Sequence, residues 1–263
     1  MAQTSKARSD DPIPRSPMIK SKSIVLHRYP YSDSSWIVKA LTEECGIVSF
    51  IVKGGKRKES PFRGALDPLA LAEVVFKHNP NAELQFVKEA TLLCWHESMR
   101  GDLLHQAQAQ VMAEMILRYA PQGVPLDEEF QHLEASLAEL DSRDLADGAF
   151  ARWLLATCEM WGYHLELGTC GRCEKTLTEP AADFSPESGT FLCKDCLGVA
   201  SPRAKKETLD GFWALHRNLP IQDSQYTENA LISYLRNHIG FLKEIHSLQW
   251  LQEIRKLCST PKT

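Results

Sequence analysis

Hydrophobic and polar positions alternate with a period of two over the first part of the chain and with a period near 3.6 over most of the rest. Ile24-Val25-Leu26-His27-Arg28-Tyr29 and Trp36-Ile37-Val38-Lys39-Ala40-Leu41 are rich in β-branched and aromatic residues. Thr42-Glu43-Glu44-Cys45-Gly46 separates the second run from Ile47-Val48-Ser49-Phe50-Ile51-Val52-Lys53. There Val48, Phe50 and Val52 share one face, with Ser49 and Lys53 on the other, as in half-buried strands joined by a turn. Gly54-Gly55-Lys56-Arg57-Lys58-Glu59-Ser60-Pro61 breaks the alternation and predicts a loop. Two more strands are predicted over Leu69–Lys77 and Leu84–Thr91. Five short strands in about 75 residues predict a small barrel, and the five-stranded OB-fold is one such solution.

Beyond Glu97 the period changes. Leu103, Leu104, Ala107, Val111, Met115 and Leu117 suit one amphipathic helix, ended by Ala120-Pro121-Gln122-Gly123. Asp127–Leu140 predicts a second, whose Asp127-Glu128-Glu129 run favours the positive end of the helix dipole. Asp147–Tyr163 predicts a third; with Phe150, Trp153, Leu154, Leu155, Met160 and Trp161 it reads as a core helix. Ser201-Pro202 opens another helix through Arg217, with Pro202 at its first position. Further helices are predicted from Asp223 or Ser224 to Phe241 and from His246 to Leu257. The fold class is therefore α+β: a disordered tail over 1–18, a five-stranded OB-fold barrel over 19–97, and a helical domain over 98–164 and 201–263. Residues 165–200 interrupt that helical domain as a separate module.

The interruption carries chemistry. Cys170-Gly-Arg-Cys173 and Cys193-Lys-Asp-Cys196 are separated by 19 residues, within the spacing of a tetrahedral zinc site. Each C-x-x-C turn aims two thiolates at one point, and Gly171 suits such a turn because it takes positive φ without steric cost. The competing readings are four unrelated thiols or two disulfides. His164-Leu-Glu166 precedes the first pair and partly matches the H-x-E…P-C-x-x-C pattern of zinc deaminases. Thr169, however, stands where that pattern has proline, and only three residues separate Glu166 from Cys170. Four thiolates also close the coordination shell, which leaves no position for a reacting water. The expected cofactor is a structural Zn2+, with a zinc deaminase or hydrolase as the disfavoured alternative.

Composition adds bounds. An apolar content of 43% and a charged content of 24% are ordinary for a soluble globular chain. No apolar run reaches the roughly 18 residues of a membrane span, and residues 1–18 lack the apolar core of a secretory signal. Cys45, Cys94, Cys158 and Cys258 lie in apolar contexts and read as buried thiols of a reducing, cytoplasmic compartment. The net charge is −4, but residues 1–80 hold 13 Lys+Arg against 8 Asp+Glu while residues 81–263 hold 17 against 26. A basic N-terminal third on an acidic body points to a localised polyanion site.

That site is expected on the predicted loop. Lys53, Lys56, Arg57, Lys58 and Arg63 fall within eleven residues, with Phe62 among them. Cations neutralise phosphates and aromatics stack on bases, and Tyr29, Tyr31 and Trp36 are further stacking candidates. The competing reading is a solvated loop. Gly54-Gly55-Lys56-Arg57 lacks the Ser or Thr that follows the lysine of a nucleotide-binding loop, so no nucleotide site is expected. No G-x-S-x-G nucleophile elbow is present either. His216, His238 and His246 read as histidines of amphipathic helices rather than ligands. Arg203, Lys205, Lys206 and Arg217 flank the last helices and are candidates for receiving an acidic peptide tail.

This ordering resembles the bacterial RecO family of recombination mediators from about Ser23 to about Leu257. The similarity is most specific in Ile24-Val25-Leu26, Tyr31-Ser-Asp-Ser-Ser-Trp-Ile-Val38 and Leu41-Thr-Glu-Glu-Cys-Gly46. It continues through Val52-Lys-Gly-Gly-Lys-Arg-Lys58, Phe62-Arg63 and Leu66-Asp-Pro68, the four cysteines, and Tyr234-Leu-Arg-Asn-His-Ile-Gly240. The tail over 1–18 and the acidic net charge depart from the family pattern. The resemblance implies an N-terminal OB-fold, a non-enzymatic role in DNA repair, binding of single- and double-stranded DNA, annealing of complementary strands and loading of RecA recombinase. It implies RecR and the acidic C-terminal tail of the single-strand binding protein as partners, and a bacterial, nucleoid-associated location. A protein-interaction scaffold that does not bind DNA is the alternative of a different class.

Overall fold

The computed structural model describes residues 17–142, 146–239 and 245–259. Strands β1 (Met18–Pro30), β2 (Trp36–Thr42), β3 (Gly46–Val52), β4 (Leu71–Lys77) and β5 (Gln85–Cys94) close into a barrel in the order β1-β2-β3-β5-β4. The pairings are antiparallel except for β3 with β5, which run parallel through Phe50–Gln85 and Ile51–Phe86. This is the OB-fold that the alternation predicts. Closure falls to β1, whose 13 residues pair with β4 over Met18–Ile24 and with β2 over Ser23–Pro30. A register shift between Val25 and His27 leaves Leu26 as an extra residue, a bulge that bends the strand around the barrel.

The alternation sorts side chains between two cores. Val25, Val38, Ala40, Val48, Phe50, Val52, Ala72, Val74 and Phe76 fill the barrel. Ile24, Leu26 and Leu41 point the other way and join the helical core. That core is built on α1 (Glu97–Gly101), α2 (Leu103–Tyr119), α3 (Asp127–Asp141), α4 (Ala149–Met160), α6 (Lys206–Arg217), α7 (Gln225–His238) and α8 (His246–Ser259). Helix α2 is central, and Ala107, Ala109, Val111, Met112, Ala113, Met115 and Ile116 are all buried. Its start is fixed by Asp102, whose carboxylate accepts the N–H groups of Leu104 at 2.8 Å and His105 at 3.0 Å. Phe150, Trp153 and Leu154 make α4 the core helix that its composition predicts.

Several boundaries differ from the sequence expectation. β1 starts at Met18, inside the stretch assigned to the tail, and the Pro17 carbonyl just before it accepts the His78 N–H at 2.9 Å; residues 1–16 lie outside the described residues. β4 starts at Leu71 rather than Leu69, because Leu69 has φ 64 and gives its N–H to the Val25 carbonyl in a turn. The α6 helix starts at Lys206 and not at Pro202. The buried Asp183 carboxylate accepts the N–H groups of Arg203 at 2.7 Å and Ala204 at 3.0 Å, which holds that segment out of the helix. Helix α7 ends at His238, and the expected continuation to Phe241 lies outside the described residues. Cys158 is buried, as expected, and Cys45 and Cys94 are half-buried; Cys258 is exposed instead, on the outer side of the last helix.

Barrel and helices meet at His96, whose imidazole Nδ1 lies 3.1 Å from the Leu69 carbonyl oxygen. Burial holds the His96 and His132 rings below the usual histidine value. The unfolded chain therefore binds these protons more readily, and their contribution to stability is lost as pH falls below about 6.5. His164 acts in the opposite sense, because its hydrogen bond to Glu159 raises it. We expect a His96→Asn/His132→Gln variant to lose less of its own stability than the parent between pH 7.5 and 5.5, measured as denaturant midpoints. Parallel pH profiles for the two proteins would contradict this assignment.

Candidate functional site

The four cysteines converge. Cys170, Cys173, Cys193 and Cys196 place their Sγ atoms within 4.8 Å of one another. Two knuckles do this. In the first, the Glu174 N–H reaches the Cys170 carbonyl at 2.8 Å, and Glu174, not Gly171, takes the left-handed φ of 60. The expectation for Gly171 is corrected: its φ is not positive. Glycine is required there by a close approach, since a Cβ would lie 2.3 Å from Thr190 Cγ2. In the second knuckle Cys193 precedes α5 (Lys194–Leu197), which carries Cys196. Between the knuckles, β6 (Asp183–Ser185) and β7 (Thr190–Leu192) form a two-stranded sheet. These elements are too short for periodicity to reveal.

The cluster fits a metal better than a disulfide. Cys173 and Cys193 Sγ are 3.8 Å apart, far beyond the roughly 2.05 Å of an S–S bond. A tetrahedron with metal–sulfur bonds of about 2.3 Å has sulfur–sulfur edges of about 3.8 Å. Burial opposes the Cys170 thiolate, but the backbone N–H groups of Cys193, Cys173 and Arg172 outweigh it and hold the group down to about 6. The Cys196 thiol is pushed up to about 12, chiefly by its hydrogen bond with Cys173. Thiolates this close repel one another, and a bound cation is what lets all four ionise. His164 stands apart from them: its ring pairs with Glu159, lies 3.6 Å from Glu166, and is 66% exposed.

The module is seated on the helical body through aromatics. Phe184 and Phe191 stack at 4.5 Å and meet Phe212 of α6 at 4.8 and 5.0 Å. The cysteine knuckles therefore sit on a small core shared with α6.

The loop between β3 and β4 is a chain of tight turns. Arg57, Ser60 and Arg63 donate their N–H groups to the carbonyls of Gly54, Arg57 and Ser60 at 3.1–3.2 Å. Ala65 and Leu66 are buried in the end of the barrel, and Leu69 and Ala70 pair with Val25 of β1. The loop is thus folded across one end of the barrel and presents its cations outward. Lys53, Arg57, Lys58 and Arg63 are exposed, and Lys56 is half-buried. The Lys56 ammonium bonds the Ser32 carbonyl and lies 5.1 Å from the Trp36 ring, which Arg28 also covers at 4.5 Å. Phe62 is half-buried and packs against the barrel core, so much of its ring is already engaged.

Sequence reasoning missed Arg28 and Phe86. Arg28 pairs with Asp67 of the loop. Phe86 is 52% exposed on β5, with Lys53 5.1 Å from its ring. No sequence signal marks Phe86, because alternation places an apolar Phe inside and a polar Gln outside, whereas here Gln85 is buried and Phe86 faces out.

The other four cations do not form one cluster. Lys205 precedes α6 and Lys206 begins it, while Arg217 is its last residue, which puts the two ends about 17 Å apart. Arg203 stands 3.8 Å from Asp183, Lys205 4.9 Å over Tyr226 and Arg217 5.7 Å over Trp213.

Known proteins share this organisation. Residues 17–94 match the family model described as recombination protein O N terminal, and residues 100–244 match recombination protein O C terminal. The chain is 26% identical over 250 residues to the DNA repair protein RecO of Anaeromyxobacter sp. strain K, covering 91% of this chain and 98% of that one. It is 29% identical over 188 residues to the DNA repair protein RecO of Rubrobacter xylanophilus, covering 70% of this chain and 74% of that one. Among the described residues, no helix is long and apolar enough to cross a membrane.

Removing the metal should be felt well beyond the cysteines. We expect strong chelation, or Cys193→Ala, to lower the melting temperature by about 5–10 °C, because a structural metal contributes folding free energy directly. Cobalt(II) should restore the original stability and give the thiolate charge-transfer absorption of a tetrahedral sulfur site. A melting temperature unaffected by chelation would contradict the assignment.

Proposed function

The chain belongs to the recombination protein O family, and on that premise we propose that it is a non-enzymatic mediator of DNA repair and recombination that binds DNA and anneals complementary strands. The observation that supports this most is the exposed set Lys53, Arg57, Lys58 and Arg63, with half-buried Lys56 among them, on a loop held by backbone hydrogen bonds. Each cation that meets a phosphate releases condensed counterions, which drives binding without reading sequence. Annealing needs no acid, base or nucleophile in this account. The loop screens two like-charged backbones, and base pairing supplies the free energy. Both single and double strands offer the phosphates that the loop would hold, and no nucleotide is consumed.

In the cell this activity belongs with DNA, in the bacterial cytoplasm and nucleoid. The protein acts with RecR to load RecA recombinase onto strands coated by the single-strand binding protein. The acidic C-terminal tail of that protein is received by Arg203, Lys205 and Lys206 at one end of α6, with Arg217 at the other. The metal is Zn2+, and its role is to hold the module rather than to react. A closed shell of four thiolates favours this, as does the exposed position of His164 outside the cluster.

The test is electrostatic. A Lys56→Glu/Arg57→Glu/Lys58→Glu protein should bind single-stranded DNA more weakly. The slope of log K against log salt should flatten by about 0.7 for each phosphate that is no longer neutralised. If affinity and slope both match the parent, the loop is not the DNA site.

A further inference from the structure

The four converging cysteines are not equally shielded. Cys170 is fully buried, Cys193 and Cys196 are half-buried, and Cys173 is exposed. Cys170 is also the sulfur that accepts the Cys193 N–H, at 3.4 Å. Cys173 lies between Arg172 and Glu174, which are exposed too. The Arg172 side chain reaches across to the second knuckle, where it donates to the Cys196 carbonyl at 2.5 Å, so a cation borders the cluster. Cys193 Sγ stands 3.8 Å from Cys173 Sγ, and the two belong to different knuckles.

We propose that Cys173 is an oxidation site for hydrogen peroxide and that Cys193 resolves it, which makes the module a redox switch; this rests on the metal reading above and deepens it. The attacking atom must be a thiolate within reach of solvent, and Cys173 meets both conditions best. Its sulfur takes one peroxide oxygen. The O–O bond breaks, an S–O bond forms, and the departing hydroxide takes a proton from solvent and leaves as water. The Cys193 thiolate then attacks the Cys173 sulfur. An S–S bond forms, and the second hydroxide leaves beside the Arg172 cation and is protonated in turn. In sum, two thiolates give up two electrons, and one hydrogen peroxide with two protons becomes two waters. A dithiol reductant reverses the change by exchange.

The disulfide removes two of the four ligands. Cys170 and Cys196 alone are too few for a closed tetrahedral site, so the ion is lost with the oxidation. The new bond also pulls the two knuckles together, and they have little slack. Gly171 already meets Thr190 so closely that a Cβ would not fit, and its N–H bonds the Phe191 carbonyl at 2.9 Å. Phe191 in turn packs against Phe184 and Phe212. A shift of the knuckles is therefore felt at α6 and through it in the helical body, whereas the basic loop on the barrel takes no part.

The test treats the full-length protein, reconstituted with zinc, with hydrogen peroxide and reads released zinc with a chromogenic chelator, the loss of thiols, and the tryptic linkages by mass spectrometry. Trypsin separates the partners cleanly, with Cys173 in peptide 173–175, Cys193 in 176–194 and Cys196 in 195–203. The expected result is one zinc released for every two of the eight thiols lost, and a linkage joining 173–175 to 176–194. The oxidised protein should melt lower by about as much as the chelated one, and dithiothreitol with zinc should restore it. A Cys45→Ser/Cys94→Ser/Cys258→Ser variant should respond like the parent, because those thiols lie outside the cluster. Zinc retained at peroxide concentrations that oxidise the exposed Cys258, or a linkage that leaves Cys173 out, overturns the switch while leaving the metal reading intact. A reduced protein that takes up no zinc overturns both.

Discussion

β1 has to pair with two strands at once, and the rest of the N-terminal domain depends on that constraint. A five-stranded sheet closes only if one strand is long enough, and bent enough, to reach both neighbours. The 13 residues of β1 and the bulge at Leu26 meet the requirement. Along the same strand Val25 points into the barrel and Ile24 and Leu26 into the helical core, so the strand that closes the barrel also docks the helices. Val25 also anchors the end of the basic loop through its N–H and carbonyl. A loop rich in like charges would otherwise spread into solvent. Pinned at β1 and plugged by Ala65 and Leu66, it holds its cations over one end of the barrel.

Buried polar contacts hold the helical body in register. Glu228 of α7 is 1% exposed, pairs with Arg255 of α8 and accepts from the Gln108 amide of α2 at 3.2 Å. Burial pushes Glu228 up and Arg255 down, each against the attraction of the other. Such a pair specifies which helices meet more than it stabilises them, because desolvation consumes much of the Coulombic gain. Glu114 of α2 acts similarly at the start of α8, where it accepts the N–H groups of His246 at 3.2 Å and Ser247 at 2.8 Å. These bonds lower the Glu114 carboxyl although burial alone would raise it. The four-cysteine module is tied to this body through Phe212, and Asp183 then holds the segment leading into α6.

Much of this was legible in the sequence because it rests on local pattern. Val48, Phe50 and Val52 show their strand at once, and the two C-x-x-C pairs show their convergence through spacing alone. What was not legible depends on contacts distant in the chain. Pro202 looked like the start of a helix until Asp183, some twenty residues earlier, took the N–H groups that follow it. Gly171 looked like a turn residue, whereas its constraint comes from Thr190 on another strand. Phe62 looked free to stack, yet it is half-buried and packs against the barrel core, while Phe86 is 52% exposed and Tyr31 58%. Arg203 and Arg217 are close enough in sequence to suggest one patch, and a straight helix separates them.

The central claim is that a fixed cationic loop on a closed barrel lets this protein bring complementary strands together without a catalytic centre. The most direct measurement is the rate at which two complementary oligonucleotides anneal, bare or coated with single-strand binding protein, with and without the protein and with no nucleotide present. The account predicts clear acceleration that fades as salt rises. Annealing at the uncatalysed rate under low salt, with the protein bound to both strands, would contradict it.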